Sequence, residues 1–99
     1  MNKVTVLYKH PQDEEAFEKY YEETHLPLAA KFPNLDHAEF TKFVPGPDGT
    51  KSSYYRMAEL YFTSDSSMLE SLGSPDGQAA ASDIPKFASG GFEVLFGKV

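Results

Sequence analysis

The sequence predicts a single α+β domain over residues 1–99, with the element order β-α-β-β-α-β, a four-stranded antiparallel sheet and helices on one face. Three observations predict this fold class. The chain has 99 residues, the size of one domain. Four short segments are rich in β-branched and aromatic residues and alternate along the chain as strands do. Two longer segments between them begin with capping residues and have helical periodicity or composition.

Composition narrows the function classes. The formal net charge is −6, which argues against nucleic acid or an anionic membrane as a partner, since both favour clustered Lys and Arg. The chain has no cysteine, so it has no disulfide framework and no thiolate nucleophile. It shows no leader and no apolar run of membrane-spanning length. We therefore expect a soluble cytoplasmic protein.

The first strand is predicted over residues 3–8. Alternation places Val4, Val6 and Tyr8 on one face and Thr5 and Leu7 on the other, so both faces are partly apolar. A turn follows, and the first helix then begins after Asp13. We expect this helix to reach residue 24 or 25 and to continue as a kinked extension to residue 32.

The end of the first helix is the most distinctive stretch of the chain. Pro27 lacks an amide hydrogen and clashes with the preceding turn, so regular helix is predicted to end or kink near His25. Such a break can aim the imidazole away from the ordinary helix–sheet interface. The apolar stripe predicted to face the sheet consists of Phe17, Tyr21, Thr24 and Leu28.

The remaining elements follow in order. The second and third strands are predicted over residues 35–43 and 54–62, joined by a loop rich in Pro and Gly. Thr63 or Ser64 is predicted to cap a helix that runs to about residue 72, and Gly73 ends it. Ser74 then caps a short helix over residues 76–82, and Pro85 restarts or kinks the chain. The last strand covers residues 92–96. The order is the ferredoxin-like pattern.

The sheet face without helices predicts a partner. Apolar residues lie on both faces of the strands, and some of them must remain on the helix-free face. A second copy packed sheet on sheet covers that face most simply, so we expect a homodimer. The candidate residues for this face are Leu7, Phe40 or Phe43, Tyr55 or Leu60, and Phe92 or Leu95.

Two motifs resemble a known family. The first is Phe17-x-x-Tyr20-Tyr21-x-x-x-His25-x-Pro27-Leu28; the second is Ser74-Pro75-Asp76-Gly77-Gln78 followed by Asp83-Ile84-Pro85-Lys86-Phe87. Together they resemble the EthD family, named after a component of ethyl tert-butyl ether degradation, within the dimeric α+β barrel superfamily. The resemblance implies the dimeric barrel fold, but it leaves the reaction open, because relatives include isomerases, cyclases and cofactor-independent monooxygenases.

His25 and Tyr8 are the candidate catalytic residues. The ordinary pKa of histidine lies near working pH, so His25 suits a general acid or base. The alternative is a histidine packed at a helix end. The Tyr8 hydroxyl can donate a hydrogen bond to an oxygen that gains charge, or the ring can be an ordinary core aromatic.

A small apolar or aromatic oxygenated metabolite is the predicted ligand, in contact with Tyr21, Leu28, Phe40 and Tyr55. The predicted function is cofactor-independent proton transfer or oxidation in catabolism; the alternative is a non-catalytic binding or accessory protein. No cofactor is expected, because nucleotide-binding motifs are absent. No metal is expected, because His10, His25 and His37 lack the spacing of a metal site.

Overall fold

The computed structural model describes residues 1–99 and has the predicted order of strands and helices. The strands are β1 (Asn2–Tyr8), β2 (His37–Lys42), β3 (Arg56–Phe62) and β4 (Phe92–Lys98). The helices are α1 (Glu14–Tyr20), a π-helical turn (Tyr21–His25), α2 (Leu26–Ala29), α3 (Asp65–Gly73) and α4 (Pro75–Phe87). No helix has the length and apolar composition that a membrane crossing requires.

The four strands form one antiparallel sheet in the order β2-β3-β1-β4. The ferredoxin-like α+β fold predicted from the sequence is therefore confirmed. The strands β1 and β3, each of which is followed by a helical segment, lie at the centre, while β2 and β4 form the edges. In register, Val6 of β1 lies opposite Ala58 of β3 on one side and Val94 of β4 on the other.

Strand alternation divides the side chains between the two faces of the sheet. The even-numbered residues of β1 face the helices and are buried, including Val4, Val6 and Tyr8. By register, Phe40, Leu60 and Phe92 belong to this same face. These three residues therefore do not line the helix-free face, which was an alternative left open by the sequence.

The helix-free face is less apolar than the sequence indicated. It carries Leu7 of β1 and Leu95 of β4, but also an ion pair in which Lys3 Nζ lies 2.8 Å from Glu59 Oε2. Tyr55 does not belong to this face either. It precedes β3 and is buried in the core, with its ring centre 5.1 Å from that of Phe17.

The second helical segment differs from its prediction. Ser74 caps α4 as expected, and its side chain accepts a hydrogen bond from the Gly77 amide. Yet α4 does not stop before Pro85; it continues to Phe87. Proline removes one hydrogen bond of the helix, but Ile84 and Phe87 are buried against the sheet, and their packing holds the turn together.

Two hydrophobic clusters make up the core between sheet and helices. One surrounds Tyr8 at the C-terminal end of β1, and we call it the near cluster; its members are Val6, Tyr8, Phe17, Tyr21, Tyr55, Ala58, Ile84 and Phe87. The other surrounds Val4, and we call it the far cluster; its members are Val4, Ala29, Phe32, Leu60, Phe62, Met68 and Ala80. The core is therefore divided along the direction of the strands.

Candidate functional site

The π-helical turn brings His25 to the sheet. In an α-helix, residues four apart drift by about 40° around the axis, so a long helix cannot keep such residues in one line. The wider π turn over Tyr21–His25 offsets this drift, and its closing bond runs from the Leu26 amide to the Tyr21 carbonyl. Consequently Phe17, Tyr21, His25 and Ala29 are all buried.

The predicted stripe was wrong at one position, since Thr24 is exposed and His25 takes its place. The predicted effect of Pro27 was also wrong in direction. The break does not aim the imidazole away from the interface; it places it within the interface, where the residue is 5% exposed. Pro27 cannot donate a hydrogen bond and needs room for its ring, which is consistent with a widened turn just before it.

Asp83 of α4 orients the imidazole. Its Oδ2 lies 3.0 Å from His25 Nδ1, and its Oδ1 accepts a 2.6 Å hydrogen bond from the Tyr20 hydroxyl. A carboxylate next to Nδ1 favours the tautomer with the proton on Nδ1, which leaves Nε2 free to accept one. The arrangement is the base-and-orienting-group pair found in many acid/base sites.

The surroundings of His25 favour the neutral ring. The centre of the Phe87 ring lies 4.6 Å from that of the imidazole, and Tyr21 stacks on it at 5.7 Å. Burial lowers the pKa of His25 below its ordinary value, while the hydrogen bond and charge of Asp83 oppose this shift without reversing it. His25 is therefore held ready to accept a proton at neutral pH.

A cavity of about 240 Å³ lies between the sheet and the helices, beside His25. All four strands contribute to its wall, and fourteen of its fifteen lining residues are hydrophobic. The lining residues are Val4, Val6, Tyr8, His25, Ala29, Phe32, Phe40, Ala58, Leu60, Leu72, Ala80, Ala81, Ile84, Val94 and Phe96. The cavity suits an apolar ligand, and it offers no lysine, arginine or carboxylate to bind a permanent charge.

Tyr8 lines the same cavity, and its hydroxyl is buried. The residue is 0% exposed, and its hydroxyl has no hydrogen-bond partner. Burial strongly raises the pKa of Tyr8, with the Tyr21 hydroxyl and the Asp83 carboxylate adding to the effect, so the phenol remains protonated. A buried donor without a partner is costly, and a ligand oxygen would satisfy it.

The structure brings only some of the predicted site residues together. His25, Tyr8 and Phe40 line the cavity. Tyr21 lies behind the imidazole, stacked on it, and its ring does not line the cavity wall. Leu28 packs at the edge of the far cluster, and Tyr55 packs against Phe17 in the near cluster; neither lines the cavity.

Asp83 and Tyr20 are the site residues that sequence reasoning missed. The sequence predicts a break around Pro85, and a break leaves Asp83 without a helical face. Read as continuous helix, the sequence places Asp83 next to the buried positions of Ala80, Ile84 and Phe87. An acidic residue on an apolar helix face requires a buried partner. This requirement is the feature of the sequence that could have identified Asp83 as a site residue.

Metal-ligating side chains are not clustered, and the arginine beside Tyr21 is paired with a carboxylate. No three His, Asp or Glu side chains are grouped so as to hold a metal ion. The guanidinium of Arg56 lies 5.0 Å from the centre of the Tyr21 ring, but it is paired with Glu18, with Nε 2.8 Å from Oε2. The positive charge of Arg56 is therefore already balanced by Glu18.

Comparison with known proteins gives consistent matches over nearly the whole chain. Residues 9–91 match the sequence model of the EthD domain. An uncharacterized 11.0 kDa protein from the thcB–thcC intergenic region of Rhodococcus erythropolis is 39% identical, with 97% of this chain and 92% of that protein covered.

Solved structures agree with this match. The crystal structure of an EthD family protein from Bacillus halodurans superposes with a TM-score of 0.93 at 33% identity, covering 100% of this chain and 98% of the other. A dimeric ferredoxin-like protein from Thermobifida fusca superposes with a TM-score of 0.72 at 13% identity, covering 99% and 90%. At that identity the likeness shows the fold alone.

Proposed function

The chain belongs to the EthD family, and we propose that it binds a small, largely apolar oxygenated metabolite and moves a proton within it without a cofactor. The family and the fold fit a small-molecule-binding function. The finer statement rests on one observation. His25, a neutral histidine oriented by a buried carboxylate, is the one imidazole on the wall of an otherwise apolar cavity that Tyr8 also lines.

These groups support abstraction of a proton next to a carbonyl. Nε2 of His25 takes the proton, and the electron pair of the C–H bond moves toward the carbonyl to form an enolate. The Tyr8 hydroxyl donates a hydrogen bond to the oxygen that gains charge. Asp83 stabilises the imidazolium that forms, and the same imidazolium returns the proton at the end of the step.

Apolar walls contribute to both binding and chemistry. Ligand pockets are typically apolar with a few polar groups that fix orientation. An apolar cavity of roughly 150 Å³ takes up benzene, so a cavity of about 240 Å³ has room for one ring with substituents. With little water inside, the hydrogen bond from Tyr8 to a developing negative charge is strengthened.

Exchange of carbon-bound hydrogen in D₂O tests the proposal without requiring the natural substrate. A suitable probe is 1-phenylpropan-2-one, an aromatic ketone with acidic C–H bonds beside its carbonyl. We expect the protein to accelerate its deuteration, followed by NMR, above the buffer rate. The His25→Asn variant should bind the probe but exchange it no faster than buffer.

The same experiment separates catalysis from binding. Stabilisation of the protein by the ketone in a thermal-shift assay, without accelerated exchange, would favour the non-catalytic binding or accessory role. That alternative has its own support, since an apolar cavity is sufficient for binding. Neither stabilisation nor exchange over a panel of aromatic and aliphatic ketones would contradict the proposal.

We further propose that two copies pair through the helix-free face. Leu7 and Leu95 lie on this face, and some proteins of the same fold are described as dimeric. Sedimentation equilibrium at micromolar concentration should give twice the chain mass of 11.0 kDa. Leu7→Asp should yield monomer, because it buries an unpaired charge, whereas Leu69→Asp on exposed α3 should leave the assembly unchanged.

A further inference from the structure

The cavity extends away from His25 along the strands. Tyr8 and His25 line one end, and Val4 and Leu60 line the other. Val4 lies four positions before Tyr8 on β1, which corresponds to about 13 Å at the strand rise. The cavity also contacts members of both the near cluster and the far cluster, so it occupies the division between them.

The lining residues indicate an elongated space. They follow β1 over about 13 Å, and the volume of about 240 Å³ lies along that length. Such a space can hold a chain of methylene groups that runs along the strand. Its two ends also differ chemically, since His25 and Tyr8 line one end and hydrocarbon side chains line the other.

Small side chains keep the far end open. Ala29 of α2 and Ala80 of α4 are 4% and 2% exposed, and both line the cavity. At these buried positions, facing the sheet, a larger aliphatic residue would ordinarily fill the core. Leu72 of α3 and Phe32 line the cavity as well, and both pack in or against the far cluster.

From these observations we propose that the ligand is an amphiphile, with an oxygenated head at His25 and Tyr8 and an unbranched apolar tail that lies along β1 toward Val4 and Leu60. Ala80 is then a specificity-determining residue, because its size sets the room for the tail. The inference rests on the proposed function in placing the head at His25, but it concerns binding and does not require that a proton be moved.

The exposed lining residues set the upper limit of tail length. Val94 and Phe96 lie on the edge strand β4 and are 41% and 62% exposed, so the cavity is open beside them. A tail gains affinity from each methylene that leaves water and gains nothing once it emerges again. Affinity should therefore increase with tail length and then reach a plateau.

A series of straight-chain methyl ketones, from 2-pentanone to 2-undecanone, tests this. Binding to the wild-type protein, measured by NMR titration, should tighten by about fourfold for each added methylene and then level off. Ala80→Leu should lower the chain length at which the plateau begins, and Leu72→Ala should raise it. Ala79→Leu adds the same side chain at an exposed position of α4 and should change nothing.

The outcomes distinguish this inference from the proposed function. If affinity depends on tail length and Ala80→Leu moves the plateau, the amphiphile site stands even when no ketone exchanges its protons. If affinity is independent of tail length, or if Ala79→Leu and Ala80→Leu behave alike, the inference is overturned. Ala80→Leu crowds the core, so Leu72→Ala, which acts in the opposite direction, provides the second test when the first variant unfolds.

Discussion

The domain contains two histidine–aspartate pairs of different character. His25 Nδ1 lies 3.0 Å from Asp83 Oδ2, and His37 Nδ1 lies 2.6 Å from Asp36 Oδ2. By distance alone the second pair is the stronger. The first pair, however, has side chains that are 7% and 4% exposed, whereas those of the second are 49% and 34% exposed.

The difference shows that burial, more than distance, decides how much a change of protonation in such a pair affects its energy. His37 and Asp36 are neighbours in the chain, in contact with water, and an exposed pair of this kind contributes about 0–1 kcal/mol. His25 and Asp83 are 58 residues apart and meet only because α4 packs against the π turn. Their surroundings are apolar, so a change of protonation there has a large energetic effect.

Replacing His25 should produce the largest effect. His25→Asn keeps a polar side chain but removes the proton acceptor, so ketone exchange should fall by about 10²–10⁴-fold. His37→Asn is the matched control and should leave exchange within about twofold of wild type. Both rates are to be measured per folded molecule by NMR in D₂O, with the melting temperature of each variant determined alongside.

The two alternatives for His25 predict opposite results for this variant. A packing histidine would lose stability on substitution while exchange per folded molecule survived. Equal exchange rates in His25→Asn and His37→Asn would show that the buried pair is structural and would remove the distinction drawn between the two pairs.

Replacing Tyr8 should have the next largest effect. Tyr8→Phe removes the donor to the developing charge, and the loss of one such donor costs about 10²–10³-fold in rate. Stability should not decrease, because the hydroxyl removed is buried without a partner. Tyr21→Phe is the control, since it removes another unpartnered buried hydroxyl whose ring does not line the cavity. Equal rate losses in both variants would argue against the role given to Tyr8.

Replacing Asp83 tests how the imidazole is oriented. Loss of the group that orients a metal-binding histidine costs about 10–100-fold, and we expect Asp83→Asn to lower exchange by a similar factor. Because the charge of Asp83 raises the pKa of His25, its removal should also move the acid limb of the pH profile to lower pH. Asp36→Asn, at the exposed pair, should do neither. An unchanged acid limb in Asp83→Asn would exclude the assigned role.

The sheet was predictable from the sequence because its signals are local. Alternation along residues 3–8 identified β1, and capping by Asp13 and Ser74 identified the starts of two helices. The location of His25 at a helix break was also readable, because Pro27 acts on the turn immediately before it. These features depend on residues within a few positions of one another.

The buried pair itself was not predictable by such signals. Its two members come from different helices, and nothing local to Asp83 identifies its partner. The error at Pro85 added to the difficulty, because packing of Ile84 and Phe87 outweighs the local preference of proline to end a helix. The side to which His25 turns depends on the π turn, whose i→i+5 hydrogen bond shifts the helical register relative to an α-helix.

Replacing Pro27 should have a smaller effect that depends on this register. Pro27→Ala restores an amide donor and allows regular helix, so the imidazole should rotate relative to Asp83. We expect stability to change little and ketone exchange to fall. A control is Pro45→Ala in the loop between β2 and β3, which should leave exchange unchanged. Full exchange activity in Pro27→Ala would show that the π turn does not depend on proline.

The pH dependence of stability should show the smallest effect, and it tests the burial of His25 directly. The pKa of His25 in the folded protein lies below 6.5, its ordinary value, which applies to the unfolded chain. Between these two values the unfolded chain binds more protons than the folded protein. Stability therefore falls as pH decreases below 6.5, by up to about 1.4 kcal/mol per pH unit.

Urea unfolding between pH 5 and pH 7.5 measures this slope. Titration of carboxylates also changes the free energy of unfolding in the lower part of this pH range. The informative quantity is therefore the difference in slope between wild type and His25→Asn. His25→Asn should flatten the dependence below pH 6.5, because it removes the group whose neutral form the fold favours. Parallel curves for wild type and His25→Asn would mean that burial does not depress the pKa of His25.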